Sequence, residues 1–279
     1  MDNITKIRRF PSVADIVMLL LLFFVSQLIF GTILQLFGFL PPETSAIDAV
    51  DIETYMGEQL ALGKYTALVY PLSMLFSVGV LWLYIRLRGG KGAIRIRHSA
   101  SGFNPSVVLV GVLWLLAAQI ILEPLMSLLP PSEGRGLGRG VWACFTAVAT
   151  AAVFEELLCR GLIFESFYRR WGVKTSILFS SLFFGLIHMD PATAVIAVVA
   201  GMIFGVLYVR TSSLYTTIII HSVNNAMAFA MICFGVGDVS FSEIVGGGVA
   251  YYILYGVAVL IFVAASVEAW FNVLKRCKK

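Results

Sequence analysis

The feature that most limits the fold of this chain is a series of apolar stretches long enough to cross a bilayer. Of its 279 residues, 59% are hydrophobic and only 13% are charged, whereas soluble domains carry about 25% charged residues. A membrane-spanning helix needs roughly 17–25 mainly apolar residues. Such windows lie near 14–40, 65–87, 105–129, 137–160, 175–190, 192–210, 213–234 and 248–272. The sequence predicts an all-α, polytopic membrane bundle of about eight helices, forming one integral membrane domain over residues 1–279.

Three boundaries of these windows need separate treatment. Only Met189, Asp190 and Pro191 separate the fifth window from the sixth, and Pro191 suits the first turn of a new helix. The fourth window is expected to continue beyond Arg160, since the chain stays largely apolar until Arg169. The acidic segment 41–64 is predicted to lie outside the membrane, with at most a short interfacial helix.

The distribution of positive charge predicts the orientation of the bundle. Lys and Arg are enriched in cytoplasmic flanks of membrane helices, and here they follow every second window, whereas the loop before the second window is acidic. Both termini are therefore expected in the cytoplasm, with the chain in the cell membrane. The net charge of +4 is explained by these flanks. The lipid bilayer is the expected partner, and nucleic acid is not.

Two adjacent glutamates, Glu155 and Glu156, lie within the fourth apolar window. A charged residue at the centre of a membrane helix costs roughly 2.5–3.5 kcal/mol on insertion scales, so ionisable residues there indicate a functional site. His188, His221 and Asn225 interrupt the fifth and seventh windows in the same way. These residues are candidates for one polar centre inside the bundle.

The positions of these residues along their helices predict that they lie at a similar depth. Glu155 and His188 are each about 14 residues from the basic end of their helix, which corresponds to roughly 21 Å. His221 and Asn225 are about 10 and 14 residues from the same side, or roughly 15 and 21 Å. Three helices would thus bring polar groups to one level, as an active site requires.

Spacing within each helix separates the roles of the two glutamates. His221 and Asn225 are four residues apart and share a helix face. Glu156 precedes Arg160 by four residues, which is the favourable order for an ion pair. Neighbouring residues point about 100° apart, so both glutamates cannot face one cavity. We expect Glu155 to be the chemical group and Glu156–Arg160 to be a structural pair.

Three motifs carry a resemblance to a known family. Residues 155–160 read Glu-Glu-Leu-Leu-Cys-Arg, residues 184–188 run from Phe to His, and residues 221–225 run from His to Asn. They resemble the EExxxR, FxxxH and HxxxN motifs of the CPBP family of intramembrane proteases, the CAAX-protease and bacteriocin-processing group. The resemblance covers about residues 150–229 and implies a catalytic helix core near 140–234.

The resemblance implies an endopeptidase that cleaves a membrane-associated peptide or protein, of the CAAX type or like a leader peptide. Glu155 would activate water with the help of His188, while His221 and Asn225 would stabilise the oxyanion. In another version, His188 and His221 would bind a divalent metal such as zinc. The candidate catalytic residues are Glu155, Glu156, His188, His221 and Asn225, with Arg160 as structural support.

Elementary chemistry is compatible with both versions. A carboxylate, a neutral imidazole and an amide can carry out acid–base work and stabilise an oxyanion in a dry site. Two histidines and a carboxylate can instead form an open zinc site. The chain lacks the HExxH helix that would point to zinc, so the sequence leaves the metal open.

Two other classes of protein share some of these features. A transporter also places charges in mid-membrane, but usually with repeats in both halves, whereas the polar residues here fall in one half. A non-catalytic immunity or scaffold protein of the same fold is the main alternative. Outside the motifs, Gln119 and Glu123 are expected either to snorkel to the interface or to satisfy a helix break at Pro124. Gly201 and Gly205 are expected to allow close helix packing.

Overall fold

In the computed structural model, the residues described are 10–45, 50–90, 92–99, 103–129, 136–237 and 239–277. These ranges contain no β-strand, only an isolated bridge between His98 and Ser213, which confirms the all-α prediction. The eight long helices are α1 Val13–Leu36, α2 Ile52–Gly89, α3 Pro105–Met126, α4 140–171, α5 173–186, α6 Pro191–Thr211, α7 Leu214–Cys233 and α8 Gly248–Cys277, with a one-turn helix Phe241–Ile244 before α8.

Helices α4 and α5 form one run that turns sharply at Gly172. The run Gly140–Leu186 is 47 residues long, and Gly172 has φ 76° and ψ −178°, outside the helical region. A positive φ is readily adopted by glycine, so this residue allows the chain to change direction after the basic pair at 169–170. With the run taken as one segment, seven segments among the described residues are long and apolar enough to cross a membrane. The chain is a multi-pass integral membrane protein.

Helix α2 begins much earlier than its apolar window predicted. It starts at Ile52, because Asp51 caps its first turn and accepts hydrogen bonds from the backbone N–H groups of Glu53 and Thr54, both at 3.0 Å. The acidic segment 41–64 was expected to hold at most a short interfacial helix, but its residues 52–64 are instead the first part of α2. Helix α4 continues beyond Arg160, as predicted.

The break between α5 and α6 has the predicted local chemistry. Helix α5 ends at Leu186, and Pro191 begins α6. Asp190 caps α6, its carboxylate accepting from the backbone N–H of Thr193 at 2.8 Å. The carboxylate and the proline therefore terminate one helix and start the next within four residues.

Small residues let α5 and α6 pack closely. A Cβ atom at Gly201 would lie 2.9 Å from the backbone of Ser181, and one at Gly205 would lie 3.3 Å from Ile177. The close-packing role expected for the two glycines is confirmed. This contact fixes the position of α5 relative to α6 and, with it, the turn that carries His188.

The apolar core and the apolar surface occupy different parts of the bundle. Fully buried side chains from α2, α3, α4 and α6 meet in one cluster that includes Leu81, Leu115, Leu158 and Phe204. On α1 and α8, in contrast, Leu28 and Leu260 are 71% and 72% exposed. Large exposed apolar surface marks contact with membrane or protein, so these outer helices have the character of lipid-facing elements.

Candidate active site

The polar centre lies on a part of α4 whose hydrogen-bonding pattern changes four times. Residues 145–151 and 157–164 form π-helical segments, and the short α-helical segment Ala152–Glu156 lies between them. Such wide turns occur frequently at functional sites. Glu155 and Glu156 occupy the α-helical segment.

The ion pair of Glu156 and Arg160 is completely buried. Arg160 Nη1 donates to Glu156 Oε1 at 2.8 Å, and both side chains are fully shielded from solvent. Arg160 Nη2 also donates to the backbone carbonyl of Gly201 at 2.9 Å. Its guanidinium carbon lies 5.0 Å from the ring centre of Phe184 and 5.1 Å from that of Phe204. The expected contact between Glu156 and Arg160 is present, and it joins α4 to α5 and α6.

Glu155 has a different environment, although it is adjacent in sequence. Its Oε1 accepts a hydrogen bond of 2.7 Å from the hydroxyl of Tyr70 on α2. Its Oε2 lies 3.7 Å from His221 Nε2, and 12% of its side chain is exposed. Glu155 is thus held by one hydroxyl and retains an accessible carboxylate oxygen.

His221 on α7 lies between the two glutamates. Its Nε2 faces Glu155, and its Nδ1 is 3.3 Å from Glu156 Oε1. The second contact lacks hydrogen-bond geometry, so Nδ1 has no hydrogen-bond partner among the described residues. The imidazole stacks on Phe204 with ring centres 4.9 Å apart and meets the ring of Phe184 edge-on at 5.7 Å. These two rings hold the imidazole in place, close enough to both carboxylates to interact with them electrostatically.

His188 lies in the turn after α5 and not within a helix, which corrects the predicted fifth window of 175–190. Its Nδ1 is 2.7 Å from the carbonyl oxygen of Phe184. A carbonyl can only accept, so Nδ1 carries the hydrogen and a neutral His188 has its lone pair on Nε2. The rings of His188 and His221 both contact the ring of Phe184. Phe184, the first residue of the second motif, therefore orients His188 through its carbonyl group and packs with its ring against both histidines.

Asn225 is oriented by backbone and side-chain contacts on the other side of the site. Its amide nitrogen donates to the carbonyl of Ala147 on α4 at 2.9 Å. Its amide oxygen is 3.5 Å from the side-chain nitrogen of Asn224, whose own oxygen accepts from Gln119 Nε2 at 2.9 Å. An amide nitrogen has two hydrogens, so one remains for a ligand. Helices α3, α4 and α7 are connected through this chain.

Sequence reasoning did not find Tyr70 or Asn224 and gave Gln119 a different role. Tyr70 occupies an apolar window where a tyrosine is unremarkable, and only its depth could have related it to Glu155. Gln119 was expected to snorkel or to satisfy a helix break, but it contacts Asn224. Glu123, in contrast, has a structural role, because its Oε1 accepts from the backbone N–H of Ser242 at 3.3 Å.

The candidate metal ligands do not form a ready metal site. Among the described residues, no three His, Cys, Asp or Glu side chains are arranged to hold a metal ion. Zinc requires several ligand atoms directed at one point, whereas the two nitrogens of His221 face two different carboxylates. The side chains as arranged here therefore do not fit a zinc ion.

Comparisons with known proteins show similarity to membrane peptidases. Residues 137–227 match the family model described as "Type II CAAX prenyl endopeptidase Rce1-like". The protein described as "Putative membrane peptidase YdiL" from Bacillus subtilis (strain 168) is 29% identical over 79 residues, which is 28% of this chain and 32% of that protein. No solved structure matches.

The matched segment contains the helices and the turn that carry the motif residues of the polar centre. It extends from just before α4 into α7 and includes all three motifs. The resemblance to the CPBP family is therefore confirmed over residues 137–227. The alignment spans about a third of the curated relative, 32% of its length.

Proposed function

We propose that this protein is an intramembrane endopeptidase that hydrolyses a peptide bond of a membrane-associated substrate, in the manner of CAAX-type peptidases. The observation that carries the proposal is the contrast between two adjacent glutamates. Glu156 is neutralised and buried by Arg160, while Glu155 keeps an accessible oxygen beside His221. A carboxylate held in this way is suited to take a proton from water.

In the proposed reaction, Glu155 removes a proton from water, and the water oxygen attacks the carbonyl carbon of the substrate. His188 accepts a hydrogen bond from the same water through Nε2, the nitrogen left free by its bond to Phe184. A tetrahedral oxyanion forms as the carbonyl π bond opens. Asn225, through its second amide hydrogen, and His221, through Nε2–H, stabilise this oxyanion, a contribution of roughly 3–4 kcal/mol for one such donor.

The second half of the reaction returns the enzyme to its starting state. The oxyanion re-forms the carbonyl as the C–N bond breaks, and Glu155 gives its proton to the leaving nitrogen. Tyr70 holds the other oxygen of Glu155 throughout at its observed hydrogen bond. Helices in lipid exclude bulk water, which strengthens each of these electrostatic interactions.

The direct test is hydrolysis by protein reconstituted into liposomes, with a prenylated C-terminal peptide as reporter and the unprenylated peptide as comparison. Glu155→Gln keeps the size of the side chain and an acceptor for Tyr70, so the fold should persist while cleavage falls about 100-fold or more. Unchanged cleavage in this variant would contradict the assignment of the base. Absence of hydrolysis by the unaltered protein, with every reporter tried, would favour the scaffold alternative.

Metal dependence is tested separately. Because the proposed chemistry uses only protein groups and water, activity should survive strong chelation, and purified protein should contain little zinc by elemental analysis. Stoichiometric zinc that is lost in His188→Ala together with activity, and restored by added metal, would contradict the metal-free reaction. That result would not change which residues are assigned to the active site.

A further inference from the structure

A second polar cavity lies at the C-terminal end of α4, away from the two glutamates in the middle of that helix. Its volume is about 650 Å³, and its lining includes Arg95, Arg97, His98, Glu165 and Arg169. Arg169 follows Glu155 by 14 residues, which corresponds to roughly 21 Å along the helix. The cavity therefore lies apart from the candidate active site, at the end of the bundle predicted to face the cytoplasm.

Hydrogen bonds and an ion pair hold Arg97 in the wall of this cavity. Arg97 pairs with Glu165 at 2.9 Å, and its guanidinium carbon lies 4.2 Å from the ring centre of Tyr168. The hydroxyl of Tyr208 donates to Glu165 at 2.9 Å and accepts from the backbone N–H of Arg97. The loop after α2 is thus fastened to α4 and α6, and the guanidinium of Arg97 is fixed in place.

The charge in the cavity is unbalanced. Three arginines line it against one carboxylate, Glu165, which leaves an excess of two positive charges even with His98 neutral. Arg95 and Arg169 come from different segments, and both are exposed. Convergence of arginines from two segments on one cavity differs from a basic stripe along a single helix, because it can surround a compact anion.

We propose that this cavity binds a phosphate group, with Arg95 and Arg169 as its principal ligands beside the fixed Arg97. Guanidinium groups bind phosphate through paired, charge-assisted hydrogen bonds. Basic pockets between membrane helices on the cytoplasmic side are suited to anionic headgroups, which that leaflet supplies. The same chemistry fits a phospholipid headgroup and a soluble phosphate ester.

The test is binding by the full-length protein in detergent, measured by native mass spectrometry and by the shift in melting temperature. The probes are phosphatidylglycerol, zwitterionic phosphatidylcholine, glycerol 3-phosphate and inorganic phosphate. The variant Arg95→Gln with Arg169→Gln removes two exposed charges and leaves the Arg97–Glu165 pair intact. The matched control is Arg86→Gln with Lys174→Gln, which removes two exposed cations that contact Trp82 and Trp270 instead of the cavity.

Phosphatidylglycerol should bind the unaltered protein and the control equally, and the cavity variant at least about tenfold more weakly. Preference for phosphatidylglycerol over the two soluble probes assigns the site to a lipid headgroup. Equal affinity for glycerol 3-phosphate or inorganic phosphate assigns it to a soluble phosphate. Equal loss in the control, unchanged binding in the cavity variant, or failure of every phosphate probe to bind would overturn the proposal. None of these readouts depends on peptidase activity.

Discussion

The two sides of the polar centre differ in the groups that surround their carboxylate. On the closed side, Glu156 is paired with a buried arginine between two aromatic rings. On the open side, Glu155 has a neutral hydroxyl and an imidazole as neighbours and remains partly exposed. An ion pair fixes the charge of Glu156, whereas Glu155 has partners that can exchange protons. Two adjacent glutamates can therefore have different roles, one supporting the fold and one suited to the proposed chemistry. His221 contacts both and connects the two sides.

The largest effect is expected on the closed side. Arg160→Met leaves Glu156 buried without its partner, and breaking a buried ion pair costs about 3–5 kcal/mol. The melting temperature in detergent should therefore fall strongly. Adding Glu156→Gln to this variant removes the unpaired charge and should recover part of the loss.

A matched control uses an ion pair at the surface. Arg210 and Glu268 lie 2.7 Å apart with side chains 27% and 49% exposed, and removing Arg210 should cost at most about 1 kcal/mol. Equal destabilisation by Arg160→Met and Arg210→Met would mean that the closed side is not a special structural element.

The next effect concerns Asn225, the proposed oxyanion donor. Asn225→Ala should reduce turnover by roughly 10²–10³-fold, the scale of a lost oxyanion donor. Because the proposed contact forms in the transition state, kcat should fall while KM changes little. A fall in melting temperature with unchanged kcat would instead assign Asn225 only to the support of Ala147.

The fold was largely accessible from the sequence because lipid imposes length and apolarity on every helix. Spacing also predicted the contact of Glu156 with Arg160, since both lie on one helix and neighbours at four residues meet. Contacts between helices were harder to predict from the sequence. The π-helical segments around Glu155 and the position of His188 beyond α5 depend on tertiary packing, which no local pattern encodes. The early start of α2 does have a local signal, the capping residue Asp51, but the apolar window did not include it.

Tyr70 illustrates the same limit and provides the third prediction. Tyr70→Phe keeps the ring but removes the hydrogen bond to Glu155. A hydrogen bond to a charged group contributes about 1.5–3 kcal/mol to stability, so the melting temperature should fall as it does for a comparable tyrosine. If the bond also orients Glu155 for the reaction, turnover should fall roughly tenfold or more.

The control for Tyr70 lies on the same helix. Tyr84 also donates to a carboxylate, Asp15, at 2.6 Å, but outside the candidate site. Tyr84→Phe should affect stability and leave turnover unchanged. Similar turnover in both variants would show that the hydroxyl of Tyr70 does not contribute to the open side.

The smallest effect is expected at Gln119, which is linked to the open side through its hydrogen bond with Asn224. Gln119→Leu removes the 2.9 Å hydrogen bond to Asn224, and a neutral hydrogen bond contributes a net of about 0.5–1.5 kcal/mol. If that contact orients Asn225, kcat should fall roughly two- to tenfold, and the effect should disappear in an Asn225→Ala background because the group being oriented is gone. Gln27→Leu is the control, since Gln27 donates to Ser77 at 3.0 Å between α1 and α2. Additive losses from Gln119→Leu and Asn225→Ala, or an equal fall in kcat with Gln27→Leu, would mean that α3 only supports the bundle and does not extend the open side.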